Sequence, residues 1–110
     1  MAQESRPFFA EQRSIDDRVV VRIEGECDAA SLDRLNETLE AAIDQRPQEL
    51  VVDLAETTFV DSLTLGSLTA AAKRIRASGG SFRIRKVTAE VRRAFETTGL
   101  DKYLLQAGKS

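Results

Sequence analysis

The residues best suited to chemistry are an acid and a serine, Asp61 and Ser62, which lie where an apolar segment gives way to a helical pattern. The 110 residues include no histidine and one cysteine, Cys27. Neither a Ser-His-Asp nor a Cys-His arrangement can form, and a usual zinc site lacks its ligands. We therefore predict a protein that is not an enzyme and uses no cofactor or metal. Ser62 is better suited to be covalently modified by another protein than to act as a catalytic residue.

A helix that begins at Ser62 would favour a phosphoryl group there. The first turn of a helix leaves backbone N–H groups without intrahelical partners and carries a partial positive charge. Asp61 can cap those donors, and a phosphoryl group on Ser62 would meet them and add about 1.5 to 2 negative charges. Two compatible interpretations follow. Asp61 and Ser62 can be an ordinary capping pair, and Ser62 can also be a charge switch.

The surrounding pattern predicts an α/β fold in the order β-β-α-β-α-β-α. Strands are predicted over residues 7–15, 18–24, 50–54 and 82–85, with a turn at Asp16-Asp17 and a loop over residues 25–28. Helices are predicted from Ser31 to Pro47, from Ser62 to Gly79-Gly80 and from Thr88 to Gly99, followed by a short element over residues 100–105. The alternation favours a mixed, mostly parallel sheet of about four to five strands with helices packed on it. We expect one domain over residues 1–110, with flexible ends at 1–6 and 107–110.

The net charge and the hydropathy of the sequence limit the classes of partner that the protein can bind. Sixteen basic and eighteen acidic residues give a net charge of -2, without the clustered positive field that nucleic acid requires. No segment nears the roughly 20 apolar residues of a membrane span, and the N-terminus has no apolar signal core. The single Cys27 fits a reducing compartment. We therefore expect a cytoplasmic protein that binds no nucleic acid and does not insert into a membrane.

Three segments resemble the STAS domain family, and within it the bacterial anti-sigma factor antagonists: IEGECD (23–28), VVDLAETTFVDSLTLGSL (51–68) and RIRKVTAEVRRAFETTGLDKYL (83–104). The resemblance implies a regulatory module that docks on an anti-sigma factor and releases a sigma factor. Ser62 matches the serine that such antagonists have phosphorylated by their partner, an anti-sigma factor with serine kinase activity. A serine phosphatase of the metal-dependent type would restore docking.

The resemblance also implies which residues contact the partner. Asp61 matches the acid before the serine, and Asp28 falls at the family's acidic loop position, where it can equally be the N-cap of the first helix. The implied contact residues are Asp28, Asp61, Ser62, Leu63, Thr64 and Ser67.

Leu63 and Thr64 depart from the family pattern, which has a small residue and then glycine at these positions. Thr64 adds a branched side chain and a second hydroxyl, so it can hinder a partner, select an unusual one or itself accept phosphate. Leu63, if exposed, adds an apolar contact. A constitutive accessory subunit of a membrane transporter or sensory complex is therefore the alternative function, and a nucleotide-binding role is a weaker third.

Overall fold

The computed structural model describes residues 7–105, and these confirm the predicted α/β fold and element order. The predicted flexible ends, 1–6 and 107–110, lie outside the described residues. The strands are β1 (Phe9–Ile15), β2 (Arg18–Cys27), β3 (Glu49–Val60) and β4 (Ser81–Arg85). The helices are α1 (Leu32–Asp44), α2 (Ser62–Ala77), α3 (Ala89–Thr98) and α4 (Asp101–Leu104), with a 3-10 turn, Ala29–Ser31, before α1.

The four strands form one mixed sheet in the order β1-β2-β3-β4. β1 and β2 are an antiparallel hairpin, while β2, β3 and β4 run parallel. The hairpin turns at Asp16, whose φ of 55° lies in the left-handed region that aspartate tolerates better than most side chains. No helix within residues 7–105 combines the length and the apolar character needed to cross a membrane.

Two strand boundaries differ from the sequence prediction. β2 continues through Cys27, where a loop was predicted, and β3 continues six residues past Leu54 to Val60. The register shows why: between the pairs Arg22–Asp53 and Glu24–Glu56, and again between Gly25–Thr57 and Glu26–Phe59, β3 contains one more residue than β2. These two bulges let the longer strand keep pairing until Cys27 lies opposite Val60. Both strands therefore end side by side, directly before Asp28 and Asp61.

One face of the sheet forms the core with the helices. Inward side chains alternate along the strands, as in Val19, Val21 and Ile23 of β2, because successive strand residues point to opposite faces. The helices contribute apolar side chains spaced three and four residues apart, which lie on the face of each helix that packs on the sheet. The buried helix residues in this core are Leu35, Leu39 and Ala42 of α1, Leu65, Leu68, Ala71, Ala72 and Ile75 of α2, Val91 and Phe95 of α3, and Leu104 of α4.

The opposite face, which we call the open face, carries charged side chains in register. Its central residues are Glu11, Arg22, Glu49, Val51, Asp53, Arg83 and Arg85. Arg85 Nη2 lies 3.3 Å from Asp53 Oδ2, and Glu49 accepts from both Arg18, at 2.9 Å, and Arg83, at 3.2 Å. Val51 is fully buried on this face. Charged side chains with long apolar stems therefore cover the middle of the sheet.

Candidate functional site

The start of α2 has the capped geometry that the sequence predicts. Asp61 is the N-cap, with extended backbone (φ −105°, ψ −178°), and its Oδ1 accepts from the Thr64 N–H at 2.9 Å. The first intrahelical bond runs from the Leu65 N–H to the Asp61 carbonyl at 3.1 Å. The N–H groups of Ser62 and Leu63 precede that bond and have no acceptor inside the helix. The capping prediction for Asp61 is confirmed.

Ser62 is the first residue of α2, and it is exposed. It lies at the rim of a cleft of about 320 Å³ between α2 and α3, which we call the α2–α3 cleft. Leu65 and Ala94 contribute apolar surface to this cleft. Ser62 is therefore accessible from solvent in the folded protein.

Thr64 is buried, with 1% of its surface exposed, and this corrects two predictions. Its Oγ1 donates to the Cys27 carbonyl at 3.1 Å, so the second hydroxyl is neither a partner contact nor an accessible phosphate acceptor. As the third residue of α2, Thr64 is turned towards the sheet, on the same inward stripe as Leu68 and Ile75. The Asp61 N–H also donates to the Cys27 carbonyl, at 3.1 Å. These two bonds tie the end of β2 to the start of α2.

Asp28 caps the turn that leads into α1. Its Oδ1 accepts from the Ala30 N–H at 3.0 Å, and its own N–H donates to Ser31 Oγ at 3.1 Å, so the two residues form a capping box. The N-cap interpretation of Asp28 is confirmed for the 3-10 turn that precedes α1. Asp28 is partly exposed, so its carboxylate also remains open to a partner.

Two carboxylates surround the buried Cys27 thiol at the end of β2. Burial raises the pKa of Cys27 from 9.0 to about 12, with smaller contributions from Asp28 and Asp61. The same two acids flank the start of α2, so the surface next to Ser62 is already negative before any modification. Cys27 is 1% exposed and belongs to the core, where it acts as a small apolar residue.

Leu63 and Ser67 lie on a different side of α2 from Ser62. Both line a groove between α1 and α2, beside Leu32 and Gly66. Leu63 is 51% exposed, so the condition set for an apolar contact at this position is met, and the contact itself stays a prediction. The structure therefore brings the six predicted residues to one end of the domain but separates them. Ser62 faces α3, whereas Leu63 and Ser67 face α1. Asp28 caps the 3-10 turn before α1, and Asp61 caps α2. Thr64 points into the core.

Sequence reasoning missed three residues near this end of the domain. Phe59, two residues before Asp61, is 48% exposed and pairs in register with Glu26. Glu90 and Arg93 of α3 line the α2–α3 cleft with Ser62. The exposure of Phe59 depends on the bulges in β3, and the position of Arg93 depends on how α3 packs, so neither has a local signal in the sequence.

Comparisons with known proteins agree with this architecture. The family model described as "Mlab, STAS domain" matches residues 10–106. An anti-sigma factor antagonist from Mycobacterium paratuberculosis is 28% identical with a TM-score of 0.79, and the match covers 92% of this chain and 87% of that one. The anti-sigma factor antagonist SpoIIAA in its unphosphorylated form is 22% identical with a TM-score of 0.74, covering 90% and 86%. The Bacillus cell fate determinant SpoIIAA in its phosphorylated form is 21% identical with a TM-score of 0.68, covering 90% and 89%.

Proposed function

Because the chain belongs to the STAS domain family, we propose that it is an anti-sigma factor antagonist whose docking is switched off by a phosphoryl group on Ser62. One observation supports this most directly: the Ser62 side chain is exposed at the capped start of α2, where β2 and β3 end together. The 28% identity to an anti-sigma factor antagonist supports the general role.

Unphosphorylated, the protein docks the start of α2 onto an anti-sigma factor in the cytoplasm and thereby releases a sigma factor. Leu63 supplies an exposed apolar contact, and Ser67 continues the same groove one turn further along α2. Asp28 and Asp61 supply negative charge beside them. A partner with an apolar surface that meets Leu63 fits this end of the domain, and acidic side chains of that partner facing Ser62 would make docking sensitive to an added negative charge.

The anti-sigma factor also acts as the serine kinase. It transfers the γ-phosphoryl group of ATP to Ser62 Oγ: the bond to the ADP oxygen breaks, the bond to Oγ forms, and the hydroxyl proton passes to a base of the kinase. The burial of Thr64 favours Ser62 as the acceptor. A serine phosphatase of the metal-dependent type hydrolyses the phosphoserine and resets the protein.

The charge added by the phosphoryl group is large enough for a switch. About 1.5 to 2 negative charges appear next to Asp61 and near Asp28. Opposing like charges in a desolvated interface cost several kcal/mol. Since about 1.4 kcal/mol is a factor of ten in affinity, docking weakens by roughly a hundredfold or more.

Calorimetry with the candidate anti-sigma factor tests the switch. We expect Ser62→Ala to bind with about the parent affinity and to resist inactivation by ATP and the kinase. Ser62→Asp should bind at least about a hundredfold more weakly. Ser81→Asp is the matched control, because Ser81 is also exposed but lies at the start of β4. Equal affinity of Ser62→Ala and Ser62→Asp would refute the switch.

The exposed Leu63 also suits a constitutive accessory subunit of a membrane transporter or sensory complex, which would need a permanent apolar contact. Purification of the tagged protein from its native cell separates the two functions. An antagonist co-purifies with a soluble kinase and loses it after phosphorylation, whereas an accessory subunit co-purifies with membrane protein at every phosphorylation state.

A further inference from the structure

The α2–α3 cleft is lined by one cationic side chain as well as by Ser62. Its charged lining residues are the carboxylates of Asp61 and Glu90 and the guanidinium of Arg93. Asp61 adjoins Ser62 on the α2 side, while Glu90 and Arg93 belong to α3. A phosphoryl group on Ser62 would therefore enter a cleft that already holds two acids and one base.

Arg93 pairs with no acid among the residues that the structure describes. Within residues 7–105, no ion pair or side-chain hydrogen bond involves its guanidinium, whereas Arg18, Arg22, Arg74, Arg83 and Arg85 each pair with a carboxylate. Its neighbour Arg92 is also exposed on α3 but does not line the cleft. The two adjacent arginines thus differ in position and not in chemistry, which makes Arg92 a matched control.

We propose that Arg93 pairs with the phosphoryl group on Ser62 and holds it across the α2–α3 cleft. This inference rests on the proposed phosphorylation of Ser62. A guanidinium presents a planar fork of donors that matches two phosphate oxygens, and such charge-assisted pairs are stronger than neutral ones. Arg93 also offsets the repulsion that Asp61 and Glu90 exert on the added charge.

The pair has a consequence for docking. The apolar surface of the cleft, formed in part by Leu65 and Ala94, is open when Ser62 is unmodified. A phosphate held by Arg93 fills this space with a hydrated anion, so an apolar side chain of the partner can no longer enter it. Phosphorylation then blocks docking by occupying the cleft as well as by repulsion.

The test installs phosphoserine at position 62 during translation, which makes it independent of any kinase. The second ionisation of the phosphate is followed by ³¹P NMR against pH in the parent, Arg93→Ala, Arg93→Lys and Arg92→Ala proteins. A nearby cation favours the doubly charged phosphate and lowers its pKa. We expect Arg93→Ala to raise the pKa by about half a unit, as for a partly exposed ion pair, and Arg93→Lys to raise it less.

The control and the salt dependence decide the outcome. Arg92→Ala should shift the pKa by less than about 0.1 unit, and the Arg93 effect should shrink in about 1 M salt, where the Debye length is about 3 Å. Equal shifts for Arg92→Ala and Arg93→Ala, or no shift for Arg93→Ala, would overturn the pairing. Docking is measured separately. If the parent phosphoserine protein still binds the anti-sigma factor, the proposed function fails even where the titration supports Arg93.

Discussion

Replacing Thr64 with valine removes one buried hydrogen bond while keeping the shape of the side chain. The hydroxyl donates to the Cys27 carbonyl at 3.1 Å, and Thr64 is 1% exposed, so the lost bond is not replaced by water. The carbonyl keeps its second donor, the Asp61 N–H at 3.1 Å, and is not left unsatisfied. The cost is therefore that of one neutral bond, about 1 kcal/mol of the free energy of unfolding.

Urea unfolding measures this change in the free energy of unfolding directly. In thermal unfolding, we expect the melting temperature of Thr64→Val to fall by about 4 °C for a chain of this length. Thr69→Val is the matched control on the same helix. Thr69 Oγ1 donates to the Leu65 carbonyl at 2.8 Å, four residues back, which is a local bond of little net value. The control should change the free energy of unfolding by less than about 0.5 kcal/mol. Equal effects at Thr64 and Thr69 would refute the role assigned to the buried bond.

The same variant also tests the choice of phosphate acceptor. After incubation with ATP and the kinase, mass spectrometry should place the phosphate on Ser62 in both the parent and Thr64→Val proteins. Phosphate on Thr64 of the folded parent protein would contradict its burial, because a kinase cannot reach a hydroxyl that is bonded to the end of β2.

The remaining predictions concern two glycines and the cysteine. A Cβ at Gly80 would lie 3.0 Å from the Pro47 carbonyl oxygen and 3.1 Å from Ile75 Cγ2, so Gly80→Ala should destabilise by about 1 to 3 kcal/mol in urea unfolding. Gly66 has open space around it inside α2, so Gly66→Ala should stabilise by about 0.5 to 1 kcal/mol, and a reversed order would contradict this packing. Burial raises the pKa of Cys27 from 9.0 to about 12, so Ellman's reagent at pH 8 should label the thiol only after unfolding. The unfolded thiol loses its proton near pH 9 and the folded one near pH 12, so stability falls across that window, and Cys27→Ala should lack this fall.

Local signals in the sequence predict the start of α2 correctly. An aspartate before a helical stripe is an N-cap signal, and Gly79-Gly80 follows the last turn. The strand ends were harder to predict, because residues 55–59 (AETTF) show no clean alternation once β3 bulges. A bulge depends on pairing with β2, which a single segment does not encode.

The error at Thr64 has a different origin. Thr64 falls four residues before Leu68 and eleven before Ile75, so the helical period already places it on the inward stripe. Its hydroxyl suggested a surface position, because a buried hydroxyl needs a partner and none is visible nearby in the sequence. That partner is the carbonyl of Cys27, 37 residues earlier. Arg93 escaped notice for a similar reason, since its place beside Ser62 depends on the packing of α3 against α2.

The open face of the sheet affects how the protein behaves at high concentration. A sheet covered by helices on one side offers its other side to any flat surface, including that of a second copy. Here the paired side chains, such as Arg85 with Asp53, would have to be desolvated before a second copy could stack on this face. That desolvation offsets much of what stacking would gain at the charged centre of the face, whereas Phe9 and Ile15 of β1 leave exposed apolar surface at its edge.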